Sequence, residues 1–210
     1  MYSKLTDEKI EYLLETGIDE FAQLGLSRAN INVIAKKAGI SVGVIYKYFT
    51  DKHHFFLACV EYSLRLLETA MEDVTNNEGD VVSCIRLLVR DLMDGAKKHP
   101  NYFVMYNEIT SGSCREYAKE LARDIEENTA AVYGKLMEKA QAEGRMKKEG
   151  DPHMFAFFFD NMLMSLQFAF SCDYYNERMK IFCGENVEEN PDKLVEEFVS
   201  FMTGALGIAG

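Results

Sequence analysis

The stretch NINVIAKKAGISVGVIYKYFTDK, residues 30–52, decides how the rest of the chain is read. Asn30 and Ser41 each have the short oxygen-bearing side chain that caps a helix N-terminus. Gly39 suits the left-handed turn that ends one. Ile31, Ile34, Ala35 and Ala38 form the buried side of a first short helix. Ile34, Ile40, Ile45 and Phe49 supply a small core, and Ala35 is small where two helices must approach. Two brief helices joined by Gly39-Ile40-Ser41 have the pattern of a helix-turn-helix, with the second helix ending near Phe49. Asp51 then caps a longer helix expected from Lys52 to about Val74.

The run Ile34-Ala35-Lys36-Lys37-Ala38-Gly39-Ile40-Ser41, followed by Gly43, Tyr46, Tyr48-Phe49 and Lys52, resembles the TetR family of bacterial transcriptional repressors. That family typically reads I-A-x-x-A-G-V-S-x-G-x-L-Y-x-Y-F-x-x-K here. The resemblance implies a DNA-binding head over residues 1–51 and a helical ligand-binding and dimerisation domain over residues 52–210. It implies that Ser41, Val42, Gly43 and Val44 begin a recognition helix in the major groove. Tyr46, Lys47 and Tyr48 would contact phosphates or flank the bases, and Lys52 would hold a phosphate beside a helix N-terminus. Asn30 and Asn32 would meet the backbone or a base edge. Tyr46 and Tyr48 have a second reading, as packing residues with exposed hydroxyls. Val42 and Val44 depart from the family, in which many relatives place Lys, Arg or Gln at the first position and Thr or Ala at the second. Valine cannot donate to a base edge, but it can pack on a thymine methyl.

Charge supports a compact polyanion-binding surface. Arg28, Lys36, Lys37, Lys47 and Lys52 stand against Asp51 between residues 27 and 54, in a chain whose net charge is −11. Upstream, Thr6 can cap a helix with Asp7 and Glu8 in its first turn. Ile10, Leu13, Leu14, Ile18, Phe21 and Ala22 give that helix one apolar face, and Gly25 can close it.

Downstream, three prolines mark helix starts: Pro100, Pro152 and Pro191, the last two preceded by Asp151 and Asn190 as caps. Helices are expected at about 80–98, 101–110, 114–143, 152–176 and 191–207. No stretch alternates convincingly with period two, so the fold class is all-α, with about nine helices. The run from Phe155 to Phe170 is apolar almost all round, as in a helix buried on more than one side. Val195, Phe198, Val199, Phe201 and Met202 line the last helix. These last two helices are expected to form the twofold interface of a homodimer, mainly because the resemblance implies it. Phe103, Met105, Tyr106, Tyr133, Met137, Phe158, Met162 and Phe168 are candidates to line an effector pocket for a small apolar or amphipathic molecule. Asp160, which interrupts the apolar helix together with Asn161, is the candidate that orients its polar or cationic group, with solvent exposure or pairing with an arginine as the alternative. For the other eight residues core packing is the alternative.

The expected partners are thus a double-stranded DNA operator, a small-molecule effector and a second copy of the chain. Cys59, Cys84, Cys114, Cys172 and Cys183 contain no C-x-x-C pair and are odd in number, which favours a reducing cytoplasm. A cysteine-based redox sensor remains an alternative, with Cys59 nearest the head. His53 and His54 are adjacent and diverge on a helix, so no metal site is expected. No cofactor is expected. No nucleophile–base pair, phosphate loop or E-x-x-H pair points to an enzyme. The first residues lack an apolar leader core, and no run of about 18 uncharged apolar residues marks a membrane span.

Overall fold

A computed structural model describes residues 5–75, 80–110 and 112–208. The first four residues of the N-terminal stretch lie outside these. Ten α-helices and no strand occur among the described residues: α1 (Asp7–Arg28), α2 (Ile31–Lys37), α3 (Val42–Tyr48), α4 (Lys52–Thr75), α5 (Val81–Lys98), α6 (Pro100–Ile109), α7 (Ala118–Ala142), α8 (Pro152–Ser171), α9 (Asp173–Cys183) and α10 (Pro191–Leu206). Two short 3-10 turns, Gly112–Tyr117 and Val187–Glu189, precede α7 and α10.

The packing divides the chain into two compact units, residues 1–66 with 101–119, and residues 67–100 with 120–210. The first unit extends past residue 51 because α4 and α6 supply much of its interior. Leu13, Ile18 and Phe21 of α1, Phe55, Phe56 and Cys59 of α4, and Phe103 and Met105 of α6 are all buried. The Phe21 ring meets Phe56 edge-on at 5.2 Å, and Phe49 lies 5.0 Å from Phe55. Gly17 makes this crossing close: a Cβ there would fall 2.7 Å from both Cys59 Sγ and Phe55 Cζ.

The expected caps form at Asn30, Ser41, Asp51, Asp151 and Asn190, each accepting a bond from a first-turn N–H. Thr6 differs. It occupies the N-cap position of α1, but its side chain makes no capping bond, and its carbonyl accepts from Lys9 and Ile10 instead. Gly25 also differs from a simple helix end. It has φ 73° and ψ 163°, and α1 resumes beyond it for one more turn to Arg28.

In the second unit α5 packs on α8 and α10, and α9 packs back on α8. Ile85, Val89 and Leu92 of α5 meet Phe159 and Leu163 of α8 and Val195, Val199 and Met202 of α10 in one core. Arg86 and Glu196 join α5 to α10 through two bonds of 2.7 and 3.0 Å. The single helix expected over 152–176 breaks at Cys172, which is extended, and this break raises the count from about nine to ten. The Asn176 amide takes up the carbonyl of Ala169 at 2.9 Å, and the Phe168 and Tyr175 rings pack 5.3 Å apart across the corner. Among the described helices α8 is long and apolar enough to cross a membrane. It buries one stripe, Ala156, Phe159 and Leu163, in the core of the second unit and leaves Met154, Phe157 and Phe158 exposed, so the expectation of a helix buried on more than one side is not met within one chain.

Candidate nucleic-acid interface

The turn between α2 and α3 is built from backbone bonds that need a glycine. Ala38 N–H bonds to Ile34 O at 2.8 Å, and Ile40 N–H reaches back to Ala35 O at 3.0 Å. This wrap requires Gly39 at φ 66°. Ser41 Oγ then accepts from Val44 N–H at 3.3 Å and starts α3. Ile45 is fully buried, as is Ile34 on α2, and α3 packs on α2. With Ile45 inward, Gly43, Tyr46 and Lys47 are exposed, and Val42 and Val44 are half-buried at the margin. A Cβ at Gly43 would meet nothing closer than the Ser41 hydroxyl at 3.9 Å, so the backbone there is bare.

Several expected contact residues already hold bonds within the head. The Asn30 carboxamide oxygen accepts from Asn32 N–H at 2.9 Å and from the Asn32 side chain at 3.1 Å. Tyr48 Oη accepts from Leu5 N–H at 2.7 Å, which anchors the chain entering α1 beside the end of α3. Lys52 Nζ donates to Ser27 O at 3.0 Å, and partial burial lowers its pKa from the usual lysine value. Arg28 Nε donates to Leu24 O at 3.1 Å. Lys36 and Lys47 are exposed. His54 is held by Asp51 at 2.9 Å, and the His53 ring lies 5.7 Å from Tyr117.

Two structural acids of the head were not singled out from sequence. Glu20 is buried on α1, with Oε2 3.0 Å from Lys37 Nζ and Oε1 accepting from Asn30 N–H at 3.4 Å. Its spacing of three, four and seven residues from Gly17, Thr16 and Leu13 puts it on the buried side of α1 and was a readable signal, since buried carboxylates are usually paired. Glu108 Oε1 accepts from Leu26 N–H at 3.1 Å. No pattern in the sequence joins positions 82 residues apart.

The nine candidate effector residues are distributed over both units. Phe103 and Met105 lie in the core of the first, with Tyr106 half-buried on the same helix. Tyr133 and Met137 of α7 are buried in the core of the second, where Tyr133 meets Phe159 edge-on at 5.3 Å. Asp160 is half-buried on α8, and burial, with the charge of Glu126, pushes its carboxyl up to about 6. The Tyr133 phenol is also pushed up, first by burial and then by Asp160. Phe168 is buried at the α8–α9 corner. Phe158 is exposed, and Met162 lines a groove of about 280 Å³ among α8, α9 and α10 with Leu166, Tyr175, Met179 and Phe198. Thus Tyr133, Met137 and Asp160 belong to one α7–α8 neighbourhood, while Phe158 and Met162 face outward.

Residues 13–59 match the sequence profile of bacterial regulatory proteins of the tetR family. An uncharacterized HTH-type transcriptional regulator of Mycobacterium tuberculosis, Rv2912c, is 28% identical over 122 residues, which are 57% of this chain and 60% of that protein. The match therefore leaves about two fifths of that relative uncovered. YvdT of Bacillus subtilis, also an uncharacterized HTH-type regulator, is 22% identical over 98% of this chain and 99% of its own. In fold, the chain is similar to Salmonella enterica GusR, with a TM-score of 0.72, 18% identity, and coverage of 98% of this chain and 100% of that one. The fatty acid degradation regulator FadR of Bacillus halodurans has the same score, at 16% identity over 94% and 99% of the two chains.

Proposed function

The chain belongs to the TetR family of bacterial transcriptional regulators, and we propose that it is a homodimeric, cytoplasmic repressor that an apolar or amphipathic effector releases from a palindromic operator. The observation that carries the DNA-binding part is the outer face of α3. Gly43, Tyr46 and Lys47 project from a helix fastened inward by Ile45 and outward-capped by Ser41. A bare backbone at Gly43 flanked by Val42 and Val44 suits close approach and thymine-methyl contact. Tyr46, Lys47 and Lys36 suit phosphates. Lys52 would add a phosphate contact from its place on Ser27 O, and Asn30 and Asn32 present their remaining hydrogen-bonding capacity at the start of α2. Tyr48 positions the chain before α1 and lies beside the same surface.

Dimerisation is supported by apolar side chains left exposed on the late helices. Phe157 and Phe158 of α8 and Phe201 of α10 are half or more exposed. Such a face is costly in water and suits a twofold partner. The effector reading is supported by the neighbourhood of Tyr133, Met137 and Asp160, where one carboxyl group sits among apolar side chains. A fatty acid degradation regulator among the fold neighbours suits an apolar effector class. The cysteine-sensor alternative finds less support. Cys59 is fully buried and burial pushes its thiol pKa well up, away from the thiolate that oxidation needs.

The test is binding to duplex DNA selected from a random library, measured against salt. The expected result is a palindrome with half-sites about one helical turn apart and affinity falling steeply with salt. An affinity indifferent to salt would overturn the phosphate contacts. Val44→Ala should weaken binding at one thymine-bearing position and leave other operator variants unchanged.

A further inference from the structure

The bent end of α1 gathers an unusual number of stabilising bonds. At Gly25, φ 73° with ψ 163° is a conformation open in practice to glycine. It turns the peptide between Gly25 and Leu26 away from the helical direction, so the Leu26 N–H needs a new acceptor. Leu26 is buried, which keeps water from serving. Glu108 Oε1 of α6 accepts that N–H at 3.1 Å. The carboxylate rests against the bare glycine: a Cβ on Gly25 would stand 3.0 Å from Oε1. One residue on, Ser27 O holds the Lys52 ammonium at 3.0 Å. Two residues further, Ala29 N–H closes on Gly25 O at 3.1 Å, and Asn30 begins α2. At the opposite end of α6, Asn101 donates to Asp19 Oδ1 of α1 at 2.6 Å, with Tyr102, Phe103 and Met105 buried between the two fastenings.

We infer that Glu108 is a positioning residue for DNA binding: its carboxylate holds the last turn of α1 in the bend that places Lys52 and the start of α2 for the helix-turn-helix. It touches no DNA. Its effect passes through the peptide N–H of Leu26, and the direction in which residues 26–30 leave the bend sets how α2 and α3 are presented. A carboxylate or a carboxamide oxygen at the same reach can accept that N–H. A side chain one methylene shorter cannot, because the backbone of α6 is held at its other end by Asn101.

This rests on the DNA-binding reading above, and the experiment separates the two. Wild-type protein, Glu108→Ala, Glu108→Gln and Glu108→Asp are titrated against a labelled duplex of about 30 base pairs selected by the wild type, long enough for two half-sites. Thermal unfolding and amide exchange at Leu26 are measured on the same samples. The inference expects Glu108→Ala and Glu108→Asp to lose about tenfold in affinity while folded, with faster exchange at Leu26. Glu108→Gln should stay within about threefold of wild type. Wild-type affinity in folded Glu108→Ala overturns the inference and leaves the DNA reading intact. If the alanine variant does not fold, the other two decide, and equal affinities for Gln and Asp overturn it. A wild type that selects no duplex overturns the DNA reading and this inference with it.

Discussion

Helices α3 and α8 use one device with opposite chemistry. Each buries a narrow stripe and leaves the rest outward. In α3 the stripe is Ile45, and the outward residues Gly43, Tyr46 and Lys47 are at ease in water. In α8 the stripe is Ala156, Phe159 and Leu163, and the outward residues include Met154, Phe157, Phe158 and Met162. Exposed apolar area costs about 25 cal/mol per Å², so the α8 face is incomplete until covered, whereas the α3 face is stable as it stands. On the function proposed above, the polar face of α3 can wait in solvent for a polyanion, whereas the apolar face of α8 calls for a second chain to cover it.

The comparison breaks most visibly if the α8 face needs no cover. Phe157→Asp should convert a dimer to a monomer in sedimentation and weaken operator binding about a hundredfold, without lowering the melting temperature of the monomer. A dimer that persists with full affinity would place the interface elsewhere. On the head side, the close crossing of α1 and α4 should tolerate no added atom. Gly17→Ala is expected to lose about 2–3 kcal/mol in denaturant unfolding, since its Cβ would press on Cys59 and Phe55.

Asp160 sharpens the contrast from within α8. Its folded pKa is raised from 3.8 to about 6, mainly by burial. The folded state therefore binds more protons between these values, and stability falls as pH rises through that window. Above pH 6 the penalty is complete. Asp160→Asn should stabilise the protein at pH 7.5 by about 1–3 kcal/mol and make no comparable difference at pH 3.5. Equal stabilisation at both pH values would assign the gain to something other than the charge. The smallest effect is local to α3. Ser41→Ala removes the bond to Val44 N–H and should cost about 1 kcal/mol of stability.

Much of the head was legible because its signals are short-range. A cap, a turn glycine and a buried residue at three- or four-residue spacing each act within one helical turn, so Asn30, Gly39, Ser41, Ile45 and Asp51 could be placed by reading along the chain. Roles that depend on reach across helices were harder to read. Lys52 and Lys37 were counted with the basic surface, yet one lies on Ser27 O and the other on buried Glu20. Tyr48 takes the Leu5 N–H. The effector candidates suffered most. Aromatic and methionine residues look alike in sequence whether they fill a core, as Phe103, Met105 and Met137 do, or face outward, as Phe158 does.

The sequence by itself determined the all-helical class, the helix-turn-helix and most helix starts, because those follow from periodicity and capping within a few residues, and its motif from Ile34 to Lys52 carried the resemblance to the TetR family. Tertiary structure decided where α8 ends, since the break at Cys172 depends on Asn176 reaching Ala169 O and on Phe168 meeting Tyr175. It also decided that α1 bends rather than stops at Gly25. A glycine permits either outcome. A carboxylate 82 residues beyond Leu26, at Glu108, accepts the Leu26 N–H that the bend releases, and no local preference encodes that partner.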